Sequence, residues 1–72
     1  MARNKAAAAA LTRAAEFIVK YGPHHWERYG RARAAVRQYA SAAKIGYEQA
    51  VKEVKDEAEQ LKSDARRVSA KR

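Results

Sequence analysis

The stretch Lys20-Tyr21-Gly22-Pro23-His24-His25-Trp26 decides how this chain folds. Gly22 can take the left-handed conformation at the position just after a helix. Pro23 has no amide hydrogen with which to continue the ladder, although its fixed φ suits the first turn of a new helix. One helix therefore stops at Tyr21-Gly22-Pro23, with Lys20 suited to its negative end, and a second begins. Pro23 is the only proline in the chain, so nothing of that kind ends the second helix.

Upstream of the turn, Asn4 can cap a helix beginning at Lys5, and the alanines at 6–10 propagate it. Its apolar stripe reads Ala7, Leu11, Ala14, Ile18 and Tyr21, widened by Ala10 and Phe17. Downstream, an inward stripe can be written Trp26, Tyr29, Arg33, Val36, Ala40, Ala43, Tyr47, Ala50, Val54, Ala58, Leu61, Ala65 and Val68. The spacings are threes and fours, as in a coiled coil, with two successive fours across Ala50, Val54 and Ala58. Arg33 interrupts the apolar seam. Gly30 and Gly46 each cost roughly 1 kcal/mol in a helix interior, and Gly46 is where a break is expected if there is one.

The sequence thus predicts an all-α chain forming a single unit over residues 1–72. It comprises helix 1 at about 5–20, a turn at 21–23, and one long helix 2 at about 24–69 with a possible break near 46. A rod of about 45 residues is near 67 Å long, whereas about 16 residues span only about 24 Å. The expected shape is a helical hairpin with an extended arm, in which residues 47–68 are left for another chain.

Composition agrees with a need for partners. A chain of 72 residues buries only about 60% of the surface its unfolded form exposes. With no cysteine, disulfides cannot make up the difference. The hydrophobic fraction of 47% is largely alanine; Leu11, Phe17, Ile18, Trp26, Ile45 and Leu61, with four tyrosines, are the few large apolar or ring side chains. No uncharged run approaches the ~20 apolar residues of a spanning helix, so no transmembrane span is expected. The opening stretch sets Arg3, Lys5, Arg13 and Lys20 against Glu16 alone. That composition is seen in organelle import signals, but a plain helix start is the simpler account of it. No apolar segment of the secretory type follows it.

The formal charge is +8, which attracts nucleic acid, anionic lipid or acidic protein. It is unevenly spread. Residues 1–40 hold eight basic and two acidic side chains and residues 41–72 hold eight and six, together the 16 and 8 of the whole chain. In the second part Glu48 with Lys52, Lys52 with Asp56, and Lys55 with Glu59 are spaced as on a solvated helix face.

Little in the chain points to catalysis. His24 and His25 are adjacent and on a helix diverge by about 100°, so they do not chelate one metal as an i, i+4 pair would. Asp56, Glu57 and Glu59 have no histidine or cysteine beside them, and no serine or threonine is set against a base and an orienting group. The expectation is a non-enzyme with no cofactor and no metal. The dense cluster is Trp26, Arg28, Tyr29, Arg31, Arg33, Arg37 and Tyr39. Cations interleaved with rings suit phosphates and unpaired bases, a protein hot spot or anionic headgroups, and the same rings can simply cover helix 1. The expected interface comprises this cluster with Tyr21 at the turn and Tyr47, Val51, Val54, Leu61 and Val68 on the arm.

Phe17-Ile18-Val19-Lys20-Tyr21-Gly22, followed by Trp26, resembles the amino-terminal region of mitochondrial ATP synthase subunit g. There a short helix ends at a basic-aromatic-glycine turn before a second helix. Glu27-Arg28-Tyr29-Gly30-Arg31-Ala32-Arg33-Ala34 is similar to a segment of the mitochondrial ATPase inhibitor protein, with Gly30 in place of that family's phenylalanine. These resemblances imply a small accessory subunit bracing a larger complex at the mitochondrial inner membrane, in contact with other subunits and with lipid headgroups. The alternative is a nucleic-acid-packaging protein of a virion or nucleoid, holding phosphates with Arg28, Arg31, Arg33 and Arg37.

Overall fold

The computed structural model describes residues 5–70, with side-chain environments for residues 5–66. Among the described residues the chain is all-α, with helices α1 (Lys5–Tyr21), α2 (Gly30–Ala43) and α3 (Tyr47–Ala70) and a 3-10 turn at Trp26–Arg28. The possible cap at Asn4 lies outside the described residues.

α1 ends as its sequence dictates. Gly22 has φ 99°, and its amide donates to the Ile18 carbonyl at 2.8 Å. The amides of His25 and Trp26 then both donate to the Gly22 carbonyl at 3.1 Å, winding the chain into a tight turn.

The expectation of a helix starting at 24 is corrected here, because α2 starts at Gly30. A continuous helix would put Trp26 and Tyr29 on one face. Instead the 3-10 turn and the extended backbone of Tyr29 (φ −109°, ψ 120°) separate them. Trp26 goes inside at 0% exposure while Tyr29 stays outside at 44%. Burying the largest side chain in the chain outweighs the helix propensity of its neighbours. Gly30 is accordingly the first residue of α2 rather than an interior flaw.

The break allowed at Gly46 is real, and it corrects the long helix and its free arm. α2 ends at Lys44, whose φ 58° and ψ 46° place it in the left-handed region. The Lys44 amide donates to the Ser41 carbonyl at 3.2 Å and the Ile45 amide to the Ala40 carbonyl at 3.0 Å, the paired bonds of a Schellman ending. Gly46 then accepts the Ala50 amide at 2.9 Å and opens α3. A side chain in the left-handed region costs about 1–2 kcal/mol. Lys44→Gly removes that cost and loses part of the gain to the flexibility of an unfolded glycine. It should stabilise the fold by about 0.5–1 kcal/mol, read as a higher urea midpoint at unchanged m-value.

Because the chain turns at 44–46, no 67 Å rod exists; the longest dimension of the Cα trace is 39 Å. α1 packs against both α2 and α3, which also meet each other. The region read as needing another chain finds its partner in α1: Ala50, Val54 and Ala58 are all buried. The core is mostly alanine. Trp26, Tyr39, Ile18, Val36 and Val54 are its largest fully buried side chains, and Leu11, Phe17, Tyr21, Ile45 and Leu61 close its margins.

Candidate functional site

Arg13, Phe17, Lys20 and Tyr21 recur along α1 at intervals of three and four, and so share one side of the helix. The turn that buries Trp26 delivers Tyr29 to the same place. Tyr21 and Tyr29 stack with ring centroids 4.0 Å apart and planes inclined by 9°. Phe17 continues the series 6.0 Å from Tyr21 at 10°. The Lys20 ammonium lies 5.6 Å from the Tyr21 ring centroid, near enough for a cation–π attraction. Arg31 of α2 lines a shallow hollow with Arg13, Phe17 and Gln38, and Arg28 is exposed in the turn. Three near-parallel rings are thus flanked by Arg13, Lys20 and Arg31, with Arg28 next to Tyr29 in the chain, and all four cations are exposed. Glu16 is the acidic side chain among them, sharing a hollow with Arg13, Phe17 and Lys20.

The expected interface does not survive intact. Tyr21, Tyr29 and Arg31 belong to this face, and Arg28 is the exposed residue before Tyr29. Trp26, Tyr39 and Val54 are corrected to interior residues, each at 0% exposure, and cannot reach a partner in this fold. Tyr39 donates its hydroxyl proton to the Glu53 carboxylate, which also accepts from the Gln49 side-chain amide at 2.9 Å. The ring read as surface in fact ties α2 to α3.

Arg33 is half-buried and donates to the Glu27 carbonyl, pinning the 3-10 turn. Arg37 is exposed on the same flank as Arg33; on α2 the two lie about 120° and about 160° around from Arg31. The arginines therefore do not form one patch. Tyr47 is exposed, while Val51 and Leu61 are half-buried against the core; the side chain of Val68 lies outside the described residues.

Arg13, Phe17 and Lys20 lie outside the interface that the sequence predicts. Their signal was present as a second stripe on helix 1, but without Tyr29 beside it Phe17 reads only as extra core. A separate cleft of about 590 Å³ runs between α1 and α3, lined by Glu16, Val19, Lys20, Leu61, Lys62, Ala65 and Arg66. Both histidines are exposed at the turn. Among the described residues no group of three histidine, cysteine or carboxylate side chains is placed to hold a metal, and no helix is long and apolar enough to cross a membrane.

Fold and surface together define a small all-α, three-helix domain with a cationic, ring-bearing face. Comparison with protein-family models, with curated proteins and with solved structures gives no match.

Proposed function

We propose that the chain is a non-catalytic binding module whose α1–α2 face holds single-stranded nucleic acid. The observation that carries this reading is the stack of Phe17, Tyr21 and Tyr29 set among Arg13, Lys20 and Arg31, with Arg28 adjacent to Tyr29 in the chain. Cations neutralise phosphates without regard to sequence, and an unpaired base can extend a row of stacked rings. A duplex offers the phosphates but not the open ring faces. The acids of α3, including Glu48, Asp56 and Glu59, turn that helix away from a polyanion.

Fluorescence anisotropy with a labelled thymidine oligonucleotide tests the proposal. Binding should fall steeply with added salt and should exceed that of a duplex of equal length; no binding at low salt would refute it. Tyr29→Ala should weaken binding about tenfold, the effect of losing one base-stacking ring. At 44% exposure the ring contributes little to the core, so the circular dichroism spectrum should be unchanged.

A second reading, the accessory subunit of a larger assembly such as an organellar membrane complex, is supported by the cleft between α1 and α3. Val19 is 39% exposed there, beside the half-buried Leu61 and the cations Lys62 and Arg66. An apolar floor with a basic rim suits an amphipathic acidic helix. Cross-linking from Lys62 in native extract distinguishes this reading by joining the chain to one protein rather than to nucleic acid.

A further inference from the structure

The junction between α2 and α3 combines three features. Lys44 holds a left-handed conformation, φ 58° and ψ 46°, that a lysine adopts only at a cost. Gly46 meets nothing within 4 Å of where a Cβ would stand, so the junction does not require a glycine for space. The third feature is helical phase. The buried residues of α2 are Ala32, Ala35, Val36, Tyr39 and Ala40, and those of α3 include Ala50, Val54 and Ala58. Projected as one uninterrupted helix, all eight fall within a sector of about 140°. A turn that only had to reverse the chain could leave the two faces in any relation; here they are kept in the register of a single helix.

We infer that this junction can open, joining α2 and α3 into one continuous helix, and that α3 then docks on α1 of a second copy of this chain in a reciprocal, domain-swapped dimer. The interface needs no new surface. Ala50, Val54 and Ala58 already fit α1 within one chain, and the same contacts form between chains when the hinge straightens. Opening relieves Lys44 and replaces the Schellman bonds by ordinary helical ones. It gives up the packing of Ile45, which is half-buried against the core when the hinge is closed, and parts Tyr39 from the Glu53 carboxylate of its own chain, a bond that the exchange re-forms between the two copies. A single opened chain would expose Val54 and its neighbours to water, so the second copy is what makes the open form stable. Short hinges under strain are the usual seat of such exchange. Two copies would carry two α1–α2 faces, although the inference does not depend on what those faces bind.

The chain has no cysteine, so spin labels can be introduced cleanly at Ala34→Cys and Arg66→Cys, both exposed positions. In a merged helix the labelled backbone positions are about 48 Å apart; in the closed form the chain turns back at 44–46 and α2 packs against α3, so they are closer than that. The protein is refolded at about millimolar concentration, and labelled chain is diluted into unlabelled chain so that pulsed electron paramagnetic resonance reads the distance within one chain. Light scattering counts the copies. The inference expects a dimer with the long distance, an association constant lowered about a hundredfold by Lys44→Gly, and one raised about thirtyfold by Gly46→Ala, since each substitution acts at both hinges of the dimer. It is overturned if wild type and Gly46→Ala both remain monomers, if a dimer keeps the short distance, or if Lys44→Gly leaves dimerisation unchanged.

Discussion

Trp26→Ala is expected to lower the melting temperature by about 15–30 °C, or to abolish cooperative folding altogether. Truncating a large buried aromatic costs about 3–5 kcal/mol, and in a domain this small each kcal/mol moves the midpoint by about 4–8 °C. The reserve against such a loss is thin. At about 0.05–0.15 kcal/mol per residue, the 72 residues hold about 4–11 kcal/mol. Nor can the core readily close over the vacated space, because it is largely alanine, whose short side chains have little reach. A thermal melt followed by far-ultraviolet circular dichroism checks the prediction, and a shift below about 5 °C would contradict it. Trp26→Phe separates volume from polarity. The indole Nε1 is buried with no hydrogen-bond partner among the described residues, so phenylalanine gives up volume but also removes an unsatisfied donor. That variant should lose no more than about 1–2 kcal/mol.

Trp26 also marks where the sequence stops being legible. Local chemistry shows the end of α1, because Gly22 and Pro23 act on the backbone within a few residues and nothing distant competes with them. It shows the all-helical class for the same reason. It does not show the start of α2. His24, His25, Glu27 and Arg28 are ordinary helix residues, and only the interior site that Trp26 fills takes the chain out of the helix between Gly22 and Gly30. An inward stripe that starts at Trp26 carries a phase error into the first turn of α2. It places Tyr29 and Arg33 inside and leaves out Tyr39, which the structure buries completely.

The second turn was legible as a weakness at Gly46 and illegible in detail. The left-handed position that glycine would normally take belongs to Lys44, two residues earlier, and a stripe that runs in phase through the junction conceals the reversal. The site suffered likewise. Phe17 and Tyr21 were visible as helical neighbours, but their stacking with Tyr29 depends on a turn geometry that no spacing rule supplies.

Neutralising the ring-bearing face should have the largest effect on binding. The variant Arg13→Gln, Lys20→Gln, Arg28→Gln, Arg31→Gln removes four phosphate contacts, which for a single strand lowers the salt slope by about 2.8 and the affinity at 50 mM salt by about 10³-fold. All four side chains are exposed, so the helical content and melting temperature should change little. The decisive comparison is a second variant with the same net charge. Arg37→Gln, Lys44→Gln, Lys52→Gln, Lys55→Gln also takes the formal charge from +8 to +4, since 8 − 4 = 4, and all four are exposed away from the stacked rings. If the rings and their cations are the binding surface, this variant should lose less than about tenfold, because distant exposed charges are screened over about 10 Å at 0.1 M salt. Equal losses in the two variants would mean that binding follows total charge rather than the stacked face, and would remove the support that Phe17, Tyr21 and Tyr29 give to the proposal. A large loss in the first variant alone, joined to the tenfold effect of Tyr29→Ala, would locate both the electrostatic and the stacking contributions on the same few residues.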